Sequence, residues 1–282
     1  KLNIFNKLIF SRVCEKMDQG KLEKLKNAAD WIEDQHKRRK NFCSVPGCYA
    51  VETLEDAYTV QEFLIKEWEQ KLGPVVGYKL ALTSKPIQEL VGLDHPCIGR
   101  LYRSQIYHGN QTVQLSNFGH LGVEFELAVR IGADMPESSN LWTSENVKEF
   151  VKAVSTSFEL IDDRNANYSN LEVNSLVSDN SWFGGAVLGK ENESWKHLEF
   201  DKTVVKKTVN DQIETSTTGA ALGDPFNSVA WIANFLNKRG RQLTANELIM
   251  TGSTFATMFP KSGDTISYEV TGIGAVELKV SE

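Results

Sequence analysis

Two stretches of the chain alternate between apolar and polar or small residues, and this two-residue period constrains the fold more than any other feature. The first covers residues 76–83 and the second covers residues 123–131. Successive side chains of a strand point to opposite faces of a sheet, so this period predicts strands. Shorter segments of similar character predict further strands at residues 157–161, 248–251, 265–270 and 275–280. The chain is therefore expected to build a core from several strands.

Helical segments lie at the front and in the middle of the chain. The best marked begins after Thr53, a good N-cap residue, and ends near Leu72, where Gly73 and Pro74 supply a stop. Other helices are predicted over residue 1 to about 42, 144 to about 154, and 226 to about 238. Helices in these places with strands between them favour an α+β protein. We expect a helical N-terminal extension over residues 1–52 and one functional unit over residues 53–282.

Composition excludes some classes of protein and sets expectations for location. The formal net charge is −6, which argues against binding to a nucleic-acid backbone, because that binding draws on clustered basic residues. No stretch approaches the roughly 20 apolar residues of a membrane span. The 4 cysteines do not make a disulfide framework, so a reducing compartment, by default the cytoplasm, is expected.

Two motifs resemble known sites but lack an essential part. Cys43 and Cys48 are spaced like half a zinc site, yet no second Cys/His pair completes four ligands, so ordinary thiols beside a Pro-Gly turn are predicted. The segment 184–190 has the glycines and the lysine of a P-loop. Glu191, however, stands where a P-loop needs Ser or Thr for Mg²⁺, so a strand is predicted there.

Carboxylates are the candidates for chemistry. On a strand, Glu124 and Glu126 point to the same face, about 7 Å apart, and repel each other unless solvent or a cation relieves them. A hard divalent ion such as Mg²⁺ or Mn²⁺ suits these oxygen ligands, whereas the alternative is a half-exposed strand with polar residues outward. Glu159 favours the metal, because it lies in an apolar strand where an unpaired carboxylate is costly to bury.

A lysine and a turn complete the candidate site. Lys79 is flanked on its own strand face by Gly77 and Ala81, whose small side chains leave room for a ligand; the alternative is a surface lysine. Thr251-Gly252-Ser253 follows a strand and offers hydroxyl and backbone N–H groups suited to an anion such as a carboxylate. The alternative for this segment is a simple β-turn.

These segments together resemble the fumarylacetoacetate hydrolase superfamily, in particular its 2-oxopent-4-enoate (2-hydroxypenta-2,4-dienoate) hydratases and 4-oxalocrotonate decarboxylases. The resemblance covers about residues 53 to 280. It is carried by eight motifs in the same order, of which the most informative are Gly77-Tyr-Lys79, Gly92-Leu-Asp94-His-Pro96, Val123-Glu124-Phe-Glu126, Phe158-Glu159-Leu-Ile-Asp-Asp-Arg164, Asp179-Asn180 and Met250-Thr-Gly-Ser253.

The resemblance implies a fold and a metal centre. The fold would be a mixed β-roll or barrel-like core with a helical N-terminal part packed against it. Glu124, Glu126 and Glu159 would hold Mg²⁺ or Mn²⁺, and the carboxylate and 2-oxo oxygen of the substrate would complete the coordination. The metal would act as a Lewis acid on the keto oxygen and stabilise the enolate.

The resemblance also implies a reaction and roles for single residues. Water would add to a 2-hydroxy-2,4-dienoate at C4 and give a 4-hydroxy-2-oxo acid. Lys79 would polarise or protonate the enolate, with a carboxylate of the metal site such as Glu124, or a water, as acid/base partner. The residues that would bind the substrate are Thr251, Gly252, Ser253 and Asp94. Relatives commonly form symmetric oligomers, so a homo-oligomer is expected.

Three alternatives for function remain open from sequence. The favoured one is the metal-dependent hydro-lyase. The same stabilisation of an enolate by the metal would serve a 4-oxalocrotonate-type decarboxylase, and the residues do not separate the two reactions. A non-catalytic relative that keeps the fold as a binding or scaffold protein is the third, because Ala81 and Cys97 depart from the usual pattern beside the expected pocket.

Overall fold

The computed structural model describes residues 17–138 and 140–282 of the chain. The beginning of the predicted N-terminal extension, residues 1–16, lies outside these ranges. Within them, no helix combines the length and the apolar character needed to cross a membrane.

The described residues form a mixed α and β structure. The helices are α1 (Gln19–Lys37), α2 (Leu54–Leu72), α3 (Lys85–Val91), α4 (Val173–Ser178) and α5 (Pro225–Asn237). The strands are β1 (Val75–Ala81), β2 (Cys97–Tyr102), β3 (Ile106–His108), β4 (Gln111–Gln114), β5 (Leu121–Ile131), β6 (Val151–Asp162), β7 (Phe183–Leu188), β8 (Val204–Val209), β9 (Gln212–Thr217), β10 (Leu248–Ser253), β11 (Thr265–Val270) and β12 (Gly274–Ser281).

The strands form two sheets around one main core. The larger sheet has the order β2-β1-β10-β5-β6-β7-β3, and the smaller has the order β4-β12-β11-β8-β9. Both contain parallel and antiparallel neighbours: β1 and β10 run parallel, whereas β5 and β6 run antiparallel. Between the sheets, the rings of Phe125 and Phe158 pack on Tyr268 with centroid separations of 5.7 and 6.3 Å. The predicted α+β class with a mixed, curled sheet as its core is confirmed.

The predicted elements are present with one exception, which non-local pairing explains, whereas the sequence did not predict α3, α4, β2, β3, β4, β8 and β9. Helix α2 begins as predicted, since Thr53 accepts a hydrogen bond from the backbone N–H of Asp56 and a capping box forms. The helix predicted over 144–154 is wrong. A short 3₁₀ turn covers Asn146–Phe150, and β6 starts at Val151 and pairs with β5 along its length. The ladder to β5 fixes the backbone there more strongly than local helix propensity does.

The two motifs that lacked an essential part have ordinary structures. Residues 184–188 lie within β7, as predicted, rather than in a phosphate-binding loop. Cys43 and Cys48 are exposed and form no disulfide within the described residues.

The described part of the N-terminal extension shares a core with the rest of the chain. On α1, Leu25 and Ile32 are buried in one apolar cluster with Leu64 and Trp68 of α2. The Trp68 indole N–H donates to the carboxylate of Glu33 at 2.6 Å. The domain boundary at residue 52 therefore stays a prediction. The apolar cluster described above contains residues from both sides of that boundary.

Strand β2 forms an edge of the large sheet, and helix α2 covers part of that edge. The outward N–H of Ile98 donates to the Tyr58 hydroxyl at 3.3 Å, and its carbonyl accepts from Gln61 Nε2 at 3.0 Å. Gln61 Nε2 also donates to the carbonyl of Val177 in α4 at 2.8 Å. Side chains of α2 thus satisfy backbone groups that an uncovered edge strand would leave free.

Replacing Gln61 by Leu should destabilise the protein. The substitution keeps a similar volume but leaves two buried carbonyls without the donor, which costs roughly 2–4 kcal/mol of the free energy of unfolding. Urea unfolding followed by circular dichroism measures the change. The matched control is Gln70→Leu on the exposed face of the same helix, expected within about 0.5 kcal/mol of the unmodified chain; equal effects at both positions would contradict the assignment.

Candidate metal centre and active site

Three glutamates converge on one face of the large sheet. Glu124 in β5 stands directly opposite Glu159 in β6, so their side chains share a face, and Glu126 lies two residues along the same strand. One carboxylate oxygen of each residue lies within 4.8 Å of the others. Glu126 and Glu159 are fully buried, whereas Glu124 is partly exposed. The cluster is therefore accessible from the Glu124 side.

The hydrogen bonds of these carboxylates are incomplete. Thr257 donates its hydroxyl to Glu124 at 2.6 Å, and the backbone N–H of Gly252 donates to Glu126 Oε2 at 2.9 Å. Glu126 Oε1 and Glu159 Oε2 are buried and meet no hydrogen-bond donor among the described residues. Buried carboxylate oxygens without donors are costly, and a hard cation with oxygen ligands would satisfy them. The cluster could hold a divalent metal ion.

Lys79 lies against this cluster. Its Nζ is 2.6 Å from Glu159 Oε1, and its side chain is 2% exposed, so the alternative of a surface lysine is wrong. Lys79 pairs with Gly99 of β2, where a Cβ would approach Lys79 Cγ to 3.1 Å. The missing side chain at Gly99 thus leaves the room that the lysine occupies.

Burial and the neighbouring charges shift the pKa values of Glu126, Glu159 and Lys79. Burial raises the pKa of Glu159 to about 7; Lys79 opposes this shift and Glu124 adds to it. Burial and the two neighbouring carboxylates raise the pKa of Glu126 well above its usual range. Burial lowers the pKa of Lys79, but the carboxylates outweigh burial and hold it above the ordinary value. The ammonium is therefore charged at neutral pH, while the raised pKa values of Glu126 and Glu159 favour protons that a metal would displace.

The segment 251–253 mainly supports the cluster from within. The Gly252 backbone has φ +102°, and a Cβ there would lie 2.6 Å from Thr83, so only glycine fits. Thr251 donates its hydroxyl to the carbonyl of Leu127 at 2.7 Å. Ser253 Oγ accepts from the backbone N–H of Phe125 at 3.0 Å, and its own hydroxyl hydrogen meets no acceptor among the described residues. The predicted contact of these three residues with substrate stays a prediction, and Ser253 has the most suitable free donor.

Asp94 lies outside the strands that carry Ala81 and Cys97, the two residues that depart from the family pattern. Asp94 is exposed in the turn after α3, and the structure does not bring it into the glutamate cluster. Ala81 and Cys97 stand opposite each other in the β1–β2 pair, on the same face as Lys79. Cys97 is fully buried. The departures thus lie in the row of side chains that includes Lys79.

Several neighbours of the cluster carried no local signal in the sequence. Thr257 lies in a loop, and only the fold brings its hydroxyl to Glu124. His120 belongs to none of the sequence motifs, yet its Nδ1 lies 2.7 Å from the buried Asp163, which also accepts from the Tyr168 hydroxyl at 2.9 Å. Burial, Asp163 and Glu124 all raise the pKa of Tyr168. The contacts of Thr257 with Glu124 and of His120 with Asp163 join residues remote in sequence, so no spacing rule predicts them.

Comparison with known proteins identifies the family. Residues 84–281 match the family described as Fumarylacetoacetate (FAA) hydrolase C-terminal, and the chain belongs to this family. It is 30% identical over 226 residues to 2-keto-4-pentenoate hydratase of Paraburkholderia xenovorans (strain LB400), covering 79% of this chain and 82% of that one. It is 27% identical over 255 residues to 4-oxalocrotonate decarboxylase of Pseudomonas putida, covering 89% of this chain and 94% of that one.

Solved structures support the same assignment. The structure of 4-oxalocrotonate decarboxylase from Pseudomonas putida G7, complexed with magnesium and adipate, superposes with a TM-score of 0.82 at 26% identity. The match covers 92% of this chain and 97% of that one. The same decarboxylase complexed with calcium and acetate gives a TM-score of 0.81.

Glu126→Gln should abolish metal binding without unfolding the protein. The substitution removes one ligand charge at nearly constant volume, and it also relieves repulsion among the carboxylates. We expect Mn²⁺ affinity to fall by more than ~100-fold, since even outer-shell partners cost about 10–100-fold. Calorimetry measures the affinity. Glu193→Gln, at an exposed glutamate remote in sequence from the cluster, serves as the control; unchanged Mn²⁺ affinity in Glu126→Gln would rule out this ligand.

Metal affinity should rise with pH. Glu159, with its pKa raised to about 7, and Glu126 hold protons in the metal-free protein that must leave when a cation binds. Below pH 7 the protonated fraction grows and competes with the metal, so affinity should fall from pH 8 to pH 6, with protons released on binding. Calorimetry in buffers of different ionisation enthalpy measures both quantities, and a flat affinity with no proton release would contradict this account.

Proposed function

We propose that this chain is a metal-dependent hydro-lyase that hydrates a 2-hydroxy-2,4-dienoate, in the manner of 2-keto-4-pentenoate hydratase. The observation that carries the proposal is the buried Lys79 ammonium held against the three-glutamate cluster, in a chain 28–30% identical to several hydratases. A positive and a negative group side by side in a buried site can exchange a proton with a bound carbonyl compound.

The proposed metal is Mg²⁺ or Mn²⁺, held by Glu124, Glu126 and Glu159. Carboxylate oxygens are the ligands that both ions prefer, and the unpartnered buried oxygens of Glu126 and Glu159 fit this demand. When bound, the ion would polarise the 2-oxo oxygen as a Lewis acid. The magnesium in the solved decarboxylase structure supports this choice by analogy.

The roles of the chain's own residues follow from their positions. Hydration needs the proton of the 2-hydroxyl to leave and a proton to reach C5, after which water supplies hydroxide to C4 and a proton to C3. Lys79, charged and buried, holds a proton beside the cluster and is the proposed donor to the enolate carbon. Glu124, the partly exposed carboxylate, is the proposed acid/base partner that exchanges protons with solvent. Ser253 is the proposed hydrogen-bond donor to the substrate carboxylate.

The proposal gives Asp94, Thr251 and Gly252 less direct roles in substrate binding than Ser253. The hydroxyl of Thr251 and the N–H of Gly252 are used within the protein, so they would act on substrate through Glu126 and the turn rather than by direct contact. Asp94 is exposed in the turn after α3 and lies outside the glutamate cluster, so only the resemblance to the family supports its contact with substrate. Self-association is a further expectation from relatives, and a light-scattering mass near 31.6 kDa would contradict it.

The test of function is an assay with 2-hydroxypenta-2,4-dienoate and added Mg²⁺ or Mn²⁺. Loss of the dienol absorbance, with formation of a 4-hydroxy-2-oxo acid, is the expected result. Release of CO₂ from 4-oxalocrotonate without hydration of the dienol would replace the proposal by decarboxylation. Absence of both reactions at every metal concentration would leave a binding protein with this fold.

Lys79→Met should remove turnover and keep metal binding. Methionine fills a similar volume without the proton, so kcat should fall by roughly 10²–10⁴-fold. Because the substitution also removes a positive charge beside the carboxylates, Mn²⁺ affinity should stay equal or increase. Steady-state kinetics and calorimetry measure the two quantities. Lys279→Met, at an exposed lysine, is the matched control, and a fully active Lys79→Met variant would contradict the assigned role.

A further inference from the structure

The turn that follows α4 has an unusual backbone. Asn180, Ser181 and Trp182 have φ values of 49°, 50° and 60°, in the left-handed region. None of them is glycine, and each such residue costs about 1–2 kcal/mol in this region. Three in a row persist only where contacts hold them, so the groups that hold this turn indicate what it supports.

The side chain of Asn180 is attached to the edge strand β2. Its Oδ1 accepts from the backbone N–H of Arg100 at 2.7 Å, and its Nδ2 donates to the carbonyl of Arg100 at 3.0 Å. These two bonds satisfy the outward backbone groups of Arg100 as a neighbouring strand would. One amide side chain therefore fixes the position of the β2 backbone at this point.

The fixed point lies directly beside Lys79. The residue before Arg100 is Gly99, which pairs with Lys79. A Cβ on Gly99 would lie 2.8 Å from the carbonyl oxygen of Asn180 and 3.1 Å from Cγ of Lys79. Asn180 and the lysine stem thus pack around the same glycine, so a shift of the turn would change the space in which the lysine lies.

The other end of the turn is anchored to the N-terminal helix. Asp179 is buried, its Oδ1 lies 2.5 Å from Nε2 of His36 in α1, and its Oδ2 accepts from Arg164. This contact joins the helix of the extension to the residue immediately before the left-handed run. His36 therefore contacts Asp179 and, through it, Arg164.

We propose that Asn180 is a positioning residue for Lys79 and that His36 anchors it through Asp179. Asn180 holds the β2 backbone at Gly99, and this backbone sets the place of the lysine relative to Glu159. The N-terminal helix is then part of the catalytic unit. The inference rests on the proposed function in one respect, that Lys79 donates the proton.

The first test replaces Asn180 by Gly. Glycine tolerates the positive φ, so the substitution removes the two bonds to Arg100 without adding backbone strain. Misplacement of a reacting group by about 1 Å can cost ~100-fold, so we expect kcat to fall at least 10-fold, with KM within twofold and Mn²⁺ affinity unchanged. The matched control is Asn210→Gly, a left-handed asparagine in the β8–β9 turn, for which no change is expected. Equal kcat in the Asn180→Gly variant and the unmodified chain would overturn the proposal.

A second test does not depend on activity. The rate at which acetic anhydride acetylates Lys79, followed by mass spectrometry of peptides, reports how firmly the lysine is held. It should rise severalfold in Asn180→Gly and not in Asn210→Gly. If the unmodified chain hydrates no dienoate, the proposed function fails while this measurement still decides the positioning role, and an unchanged rate would refute that role.

The anchor is tested by a substitution in α1. His36→Gln removes the imidazole from Asp179 at a partly exposed position, and it keeps the proposal testable if Asn180→Gly does not fold. We expect a smaller fall in kcat, about 3-fold, and a faster acetylation of Lys79. The control is Lys37→Gln, whose side chain contacts Glu33 on the same helix. If His36→Gln and Lys37→Gln give the same values, the anchor through Asp179 does not exist.

Discussion

The crowding of three carboxylates, two of them fully buried, is the constraint on which the rest of this structure depends. The antiparallel pairing of β5 and β6 sets Glu124 opposite Glu159 and aligns Glu126 beside them. Their mutual repulsion and burial must be relieved by protonation or by positive charge. Lys79 supplies one such charge, and the donor-free oxygens of Glu126 and Glu159 leave a place for a second, in the form of a cation.

The surrounding elements hold this charged cluster in shape. The N–H of Gly252 fixes one carboxylate, and the hydroxyl of Thr257 fixes another. On the far side, β1 and β2 carry Lys79 and Gly99. Because β2 is an edge strand, its free backbone groups need partners, and Gln61 from α2 and Asn180 from the strained turn provide them. Covering the sheet edge and positioning the lysine are thus done by the same contacts.

Much of this architecture follows from short-range patterns. The capping box at Thr53 and the two-residue periods place α2, β1 and β5 within a few residues of their observed bounds. Local patterns fail where distant pairing decides, as at Asn146–Phe150 and the start of β6, where the long ladder to β5 replaces a predicted helix. For the same reason, no local pattern of the sequence indicates Thr257. Its contact with Glu124 depends on a loop that returns to β5 from more than one hundred residues away.

The sequence by itself determined the family, the α+β class and the identity of the charged residues, because ordered motifs and strand periods are local properties of the chain. Only the tertiary structure decided that Lys79 is buried against Glu159 rather than exposed, and that Gly252 serves Glu126. It also decided that a helix of the N-terminal extension reaches Asp179 through His36. Burial and hydrogen-bond partners depend on which distant segments pack together, and no local period encodes that.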